Sequence, residues 1–495
     1  MALLNIHRLI YRPPDVAWNT TTSHLLSIIR LPFAPQSIRV QAARVLDEIL
    51  IIVPRNLTTT GDLQAKVQKR VLDVLAQQIV PDNSSATTTT SMELRRMGLE
   101  TLHQILQASG HTLVVGWESI FEMLGSVCKP PPPLRSGSGD SVLLLNSPSS
   151  PATRTKPMPL GLGNSSERSH SGLVKIAFQS LTLVCDSVSS LSPEHLRLCI
   201  TTLGQFGRQA DTNIALTAAA SLLWSVSDAI QSKRKNAGEE PEYSALWMFL
   251  LLEVLGLCTD NRLEVRDGAI QTLFRTMQLY GATLSLETWD QCIWKVTFPL
   301  LDSITTEIRN QTTPAHGSWA VDSSSISPGQ AWDESKILAL QSVGSLFHDF
   351  LTLKIIHLDS FTKAWNVFVD HIQESVLLDN RTISAPSLRC LEKAVKASGA
   401  AGVDLKPNVA MVWERVWLAI DKIGDAVLRS TTVQTSLKTP PESMPYKPFT
   451  QESLVAFLDV IRSTRSVSRA LDDVEWPLER LTRLMAILKG HNNHL

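Results

Sequence analysis

Apolar residues recur along this chain at spacings of three and four, the period of a helix that buries one face. Ile38, Ala42, Val45, Ile49 and Ile52 share such a face, with Arg39, Arg44, Asp47 and Glu48 off it. Leu286, Trp289, Ile293, Val296 and Leu300 repeat the stepping, as do Leu478, Leu481, Met485 and Leu488. Ser192-Pro193-Glu194 has the chemistry of a helix start. Its hydroxyl can cap, its proline suits the first helical position, and its acid faces the positive end of the dipole. Sustained period-two alternation is missing, so the pattern predicts an all-α protein.

The helices repeat. Residues 93–113 (ELRRMGLETLHQILQASGHTL) align without a gap to 264–284 (EVRDGAIQTLFRTMQLYGATL). Identities fall at Glu93/Glu264, Arg95/Arg266, Thr101/Thr272, Leu102/Leu273, Gln107/Gln278, Gly110/Gly281, Thr112/Thr283 and Leu113/Leu284. Trp117 and Trp289 follow, each opening a second apolar helix, and Gly110 and Gly281 sit where a left-handed cap would end the first. The unit is therefore an antiparallel helix pair. Weaker echoes occur at 37–53, 334–350 and 384–395. Such a pair cannot bury its apolar face alone, whereas stacked neighbours can, so the expected fold is a HEAT/armadillo-like α-solenoid.

Loops punctuate the pattern. The expected organisation is an N-terminal helical block at 1–128, a Pro/Ser/Gly-rich disordered linker at 129–171 and a main solenoid at 172–430. A flexible insertion at 431–449 and a helical segment at 450–495 complete it. Further polar interruptions fall at 81–91, 231–241 and 309–331.

Charge and composition narrow the function. There are 46 Lys plus Arg against 47 Asp plus Glu, a net charge of −1. No field of one sign favours nucleic acid or an anionic membrane. The longest apolar run, Ala245 to Cys258, is shorter than the ~20 residues a bilayer requires and is interrupted by Glu253. No signal peptide is expected at Met1, so the sequons at Asn56, Asn83 and Asn380 read as chance. Cys128, Cys185, Cys199, Cys258, Cys292 and Cys390 form no CxxC pair and sit in apolar helices, as buried free thiols do.

A search for chemistry returns no catalytic, cofactor-binding or metal residue. Gly137-Ser138-Gly139 and Gly161-Leu162-Gly163 lie in low-complexity sequence, not between a strand and a helix, and so are not phosphate cradles. His348 and His357 lack a carboxylate or thiolate set at ligand spacing. Asp47-Glu48 and Asp472-Asp473 are adjacent and read as solvated. Trp117, Trp289, Trp294, Trp365, Trp413 and Trp417 read as core, with an exposed anchor as the alternative. Glu264 and Arg266 read as structural, the acid at its helix N-terminus and the Arg pairing with the turn of the next repeat, with a partner-binding ridge as the alternative. Ser147, Ser150 and Thr439 each precede a proline in expected disorder and are candidate phosphosites.

Residues 263–302 and 109–124, together with 24–50 and 172–228, resemble the helical repeats downstream of the catalytic domain in large Sec-seven-type Arf exchange factors. They are more similar to the C-terminal region of the non-catalytic Mon-two (monensin-sensitivity) scaffold family of the Golgi and endosomes. The resemblance implies a peripheral membrane protein in vesicle and protein trafficking, and no enzyme. It implies action with a Dopey-type partner, a phospholipid flippase and Arf-family small GTPases, with membrane contact made through partners. It implies no cofactor, nucleic acid or small-molecule substrate. Family members are longer, so the expectation is a C-terminal portion of such a scaffold. A soluble HEAT adaptor of another pathway, such as a transport receptor or phosphatase subunit, and a regulatory part of an Arf exchange factor are the alternatives.

Overall fold

The computed structural model describes residues 5–56, 61–81, 88–128, 163–237, 241–312, 328–378, 380–435, 449–470 and 477–492. None of them lies in a strand. The chain divides into two compact units, Met1–Ile214 and Ala215–Leu495.

The first unit comprises α1 (Ile6–Tyr11), α2 (Trp18–Arg30), α3 (Gln36–Arg55), α4 (Asp62–Ile79), α5 (Thr89–Ser109), α6 (Trp117–Ser126), α7 (Gly163–Asp186) and α8 (Pro193–Gly207). Packing runs between alternate helices. α3, α5 and α7 form one row, and α2, α4, α6 and α8 form a second row against it. Each connection reverses the chain, so consecutive helices belong to opposite rows. Ser192 caps α8 as its sequence requires, its hydroxyl accepting from His195 N–H at 3.3 Å with Pro193 following.

The second unit opens within α9 (Thr212–Thr217), followed by a π-helical turn at Ala218–Leu222 and α10 (Leu223–Ala237). α11 (Pro241–Leu257), α12 (Leu263–Tyr280), α13 (Leu286–Gln291) and, after a second π-turn at Cys292–Thr297, α14 (Phe298–Thr312) follow. α15 (Pro328–Phe350), α16 (Phe361–Leu377), α17 (Arg381–Ser398), α18 (Lys406–Thr435), α19 (Gln451–Ala470) and α20 (Leu478–Asn492) complete it. One row is α10, α12, α15, α17 and α19; the other is α11, α13–α14, α16, α18 and α20. This is the α-solenoid of stacked antiparallel helix pairs that the repeat implied.

Burial follows the stacking. Trp289, Ile293, Val296 and Leu300 are fully buried, and in the 245–258 run so are Trp247, Leu250, Leu251, Val254, Leu257 and Cys258. Among the described residues one helix, Thr212–Arg234, is long and apolar enough to cross a membrane, and half of its apolar window is buried.

Three expectations need correction. The Asp47-Glu48 pair reads as solvated in sequence, yet Asp47 is 7% exposed. α3 packs against α1, α2, α4 and α5, so its buried arc is wider than one stripe and takes in Ala43, Leu46, Asp47 and Leu50. The glycines ending the first repeat helix are not left-handed: Gly110 has φ −54° and Gly281 φ −57°. A 3-10 turn prolongs each helix instead, Gly110–Thr112 and Gly281–Thr283. Gly281 is needed for space, because a Cβ there would lie 2.7 Å from Trp289 Cζ2 and 3.0 Å from Phe350 Cζ. The left-handed glycine of this region is Gly116, φ 88°, directly before Trp117. Finally, α7 begins at Gly163, within the segment expected to be linker, since a formed helix extends at the gain of a hydrogen bond per residue. Residues 129–162 lie outside the described residues, as do Ser147, Ser150, Thr439, Asn83 and Asp472-Asp473.

Candidate interaction surface

The repeated arginine shows what the repeat does with polar side chains. Arg266 is wholly buried near the start of α12. Its Nη1 donates to the Asp260 and Asn261 carbonyls at 2.7 and 3.3 Å, closing the turn after α11. Nε donates to Ser335 Oγ at 2.7 Å and Nη2 to the Ala331 carbonyl at 2.9 Å, both on α15 of the next pair. The guanidinium plane lies 3.9 Å from the Trp332 ring centroid. One planar cation with donors in a fixed fork thus ties three helices. Burial pulls its pKa down, and Asp267, Asp260 and Glu264 oppose that fall. Glu264 is exposed.

The same position recurs. Arg95 Nε donates to the Ile79 carbonyl at the end of α4 at 2.8 Å, and its Nη2 reaches Ser126 Oγ at 3.3 Å. In the echo at 37–53 it is Arg39, whose Nε donates to the Ile29 carbonyl at 2.8 Å. In the echo at 334–350 it is Lys336, completely buried, with Nζ donating to Thr305 Oγ1 at 2.7 Å and to the Leu301 carbonyl at 3.3 Å. Burial lowers the Lys336 pKa to about 8. A cation near the start of the first helix of a pair therefore caps carbonyls of the helix before it. Sequence reading reached Arg95 and Arg266 and missed Arg39 and Lys336, although aligning Glu334-Ser335-Lys336 with Glu264-Val265-Arg266 finds the latter.

The tryptophans resolve as core. Trp117, Trp289, Trp365, Trp413 and Trp417 are at most 5% exposed. Trp289 Nε1 donates to the Gly281 carbonyl at 2.8 Å, so its ring fills the space the glycine leaves. Trp294 is half-buried; its Nε1 donates to Ser360 Oγ at 3.0 Å and Lys363 stands over its ring.

Among the described residues the cysteines and histidines do not converge. Cys185, Cys199, Cys258, Cys292 and Cys390 are buried, and burial pushes Cys292 and Cys390 up to about 12, away from thiolate chemistry. Cys199 is raised by its hydrogen bond to Cys185 and then by burial. No group of His, Cys, Asp and Glu among the described residues could hold a metal. A groove of about 590 Å³ between α17 and α19 is lined by Glu392, Lys396, Asp459 and Arg462, which pair as Lys396–Glu392 at 2.6 Å and Arg462–Asp459 at 3.2 Å. A cleft of about 300 Å³ holds Glu287, Asp290, Asp359 and His357. There Asp290 accepts from Ser360, and His357 Nε2 lies 3.1 Å from the Thr352 carbonyl.

Polar and charged side chains instead link successive helices of the second row in the second unit. His371 on α16 lies 3.8 Å from Asp302 on α14, and Arg309 meets Glu374. Arg415 on α18 meets Asp370, and Arg480 on α20 meets Glu414 at 2.6 Å. Arg483 takes both Asp421, at 2.6 Å, and Asp425. Arg480 also stands over Trp413 and Trp417, 5.0 and 5.8 Å from their centroids. His371 is pulled down by burial, Asp302 partly restoring it, whereas Arg483 is raised by its two carboxylates.

Stacked helix pairs and a buried inter-repeat cation define the class, a HEAT/armadillo-like α-solenoid whose polar groups are used in holding repeats together. Within that class, residues 229–440 match the family described as the C-terminal region of Mon2 protein. The chain is 27% identical over 451 residues to a Protein MON2 homolog of Drosophila melanogaster, covering 85% of this chain and 24% of the relative. It is 26% identical over 442 residues to the Homo sapiens homolog, covering 83% and 23%. It is also 23% identical over 272 residues to the ARF guanine-nucleotide exchange factor GNOM of Arabidopsis thaliana, covering 50% and 18%. Residues 229–440 are thus similar to the C-terminal region of Mon2 protein, and part of the chain is more weakly similar to an Arf exchange factor. The chain spans about a quarter of the length of the MON2 relatives it matches.

Proposed function

We propose that this chain is a non-catalytic scaffold segment in vesicle-mediated protein traffic at the Golgi and endosomes, working through protein–protein contacts. The observation that carries the reading is the Mon2 C-terminal match across a solenoid whose buried polar groups bind its own repeats. Arf-family GTPases, a Dopey-type partner and a phospholipid flippase are the proposed partners. The likeness to an Arf exchange factor supports the first of these. Membrane contact is peripheral and made through partners. Affinity purification of the tagged chain from cells, with mass spectrometry, should recover Golgi and endosomal proteins of these classes; recovery of only nuclear or ribosomal proteins overturns the reading. In a nucleotide-release assay with Arf-type GTPases the chain should leave the rate unchanged, and acceleration refutes the non-catalytic part.

A further inference from the structure

α17 and α19 are neighbours in one row of the second unit and are tied together at two levels. Near their starts Arg389 meets Glu452 at 2.8 Å. Near their ends the approach is close, so that a Cβ on Gly399 would lie 3.2 Å from Val467 Cγ2. The groove of about 590 Å³ lies between these ties, and its walls are therefore set before anything enters it. Its charges are layered. The side chains of Glu392 and Asp459 are 16% and 37% exposed, whereas the cations they hold, Lys396 and Arg462, are 60% and 77% exposed. The carboxylates lie deeper and the cations form the rim. Ser463, on the groove wall, is 6% exposed, and among the described residues its hydroxyl has no hydrogen-bond partner. Thr464 and Ser468 on the same helix instead return their hydroxyls to the Val460 and Arg465 carbonyls. Beyond the rim, Arg465 and Arg469 are exposed and form no ion pair among the described residues.

We propose that the α17–α19 groove binds an acidic peptide segment of a partner protein, one carboxylate accepting from Ser463 Oγ, Lys396 and Arg462 and a second reaching Arg469. A buried hydroxyl free to donate, under a rim of cations, calls for an anion. Arg462 and Arg469 are about 10 Å apart along α19 at 1.5 Å per residue. An extended chain rises about 3.3 Å per residue, so carboxylates three residues apart match both arginines. A compact dianion such as phosphate reaches one end only and there faces Glu392 and Asp459. Nucleic acid fits less well, because the single aromatic residue of these two helices, Phe457, is fully buried and offers no ring to a base. A bilayer is flat, whereas this site is recessed between two helices.

The test is fluorescence anisotropy of the full chain with a labelled peptide carrying Glu at every third position and Gly and Ser between, so its outcome does not depend on where the chain acts in cells. We expect a Kd on the order of 100 µM at low salt, weakening as salt is added. Arg462→Gln and Arg469→Gln should each weaken binding about fivefold. Lys295→Gln, an equal loss of charge at an exposed site on the other row, should leave it unchanged. Ser463→Ala should weaken binding about threefold and leave Tm unchanged or raised, since no hydrogen bond within the chain is lost. The same peptide with Gln in place of Glu should not bind. Absence of binding at about 1 mM, equal losses in Lys295→Gln and Arg462→Gln, or an unaltered affinity in Ser463→Ala overturns the proposal. So does tighter binding of a single-stranded oligonucleotide or of phosphatidylserine vesicles.

Discussion

Replacing Arg266 tests whether the buried cation holds neighbouring repeats together. The Arg266→Ala chain loses donors to Asp260, Asn261, Ala331 and Ser335 and the stack on Trp332. Each hydrogen bond to a charged donor contributes about 1.5–3 kcal/mol net in favourable cases, but such contributions do not add when one buried cation makes them all. What remains is the penalty of leaving buried acceptors without donors, together with the cavity. Breaking such a site by removing one partner costs about 3–5 kcal/mol. Asp267 adds to it, since Arg266 is the cation that lowers its burial-raised pKa. We expect Arg266→Ala to lose about 4 kcal/mol, and Arg266→Lys roughly half of that, because Lys336 shows that an ammonium in this register satisfies two acceptors.

Native-state hydrogen exchange reads the loss locally. Protection should fall in the 258–262 turn, in α12 and in the first turns of α15, and remain unchanged in α19. The loss should be nearly independent of salt, because a buried pair is little screened. Arg95→Ala and Arg39→Ala, at half-buried sites with fewer acceptors, should cost about 2 and about 1 kcal/mol respectively. Loss of less than about 1 kcal/mol in Arg266→Ala, or a change confined to α12, would refute the inter-repeat role.

Two further outcomes follow from burial and space. Burial raises the pKa of Asp47 to about 7, Thr101 and Gln78 opposing through hydrogen bonds and the Glu100 charge adding to the rise. Between about pH 4 and 7 the folded chain keeps a proton that the unfolded chain releases, so stability falls as pH rises through this window and levels off above it, by roughly 1–2 kcal/mol between pH 6 and 8. Asp47→Asn should abolish that part of the slope and be the more stable chain at pH 8; parallel pH profiles of thermal unfolding would contradict the assignment. Gly281→Ala should cost about 1–3 kcal/mol, because its Cβ meets the rigid rings of Trp289 and Phe350, and an unchanged Tm would contradict it.

How far the fold is legible depends on how many neighbours a residue answers to. Helix type and pairing follow from local period and repeat, and these are readable in residues 93–113 and 264–284. Which side of a helix is buried depends on rows of partners that sequence spacing does not name. α3 touches four helices, so an aspartate one turn on from Ala43 lies inside. α20 has one apolar side against α18 and another turned outward, and its stepping looks no different from that of 286–300, whose later members are buried completely. The candidate surface is less legible for the same reason. The recurring Glu-x-Arg spacing reads as structural with a binding ridge as its alternative, and in three dimensions the arginine of 264–266 faces inward while the glutamate meets solvent. In a solenoid, then, exact recurrence of a polar residue marks what each repeat needs from its neighbours.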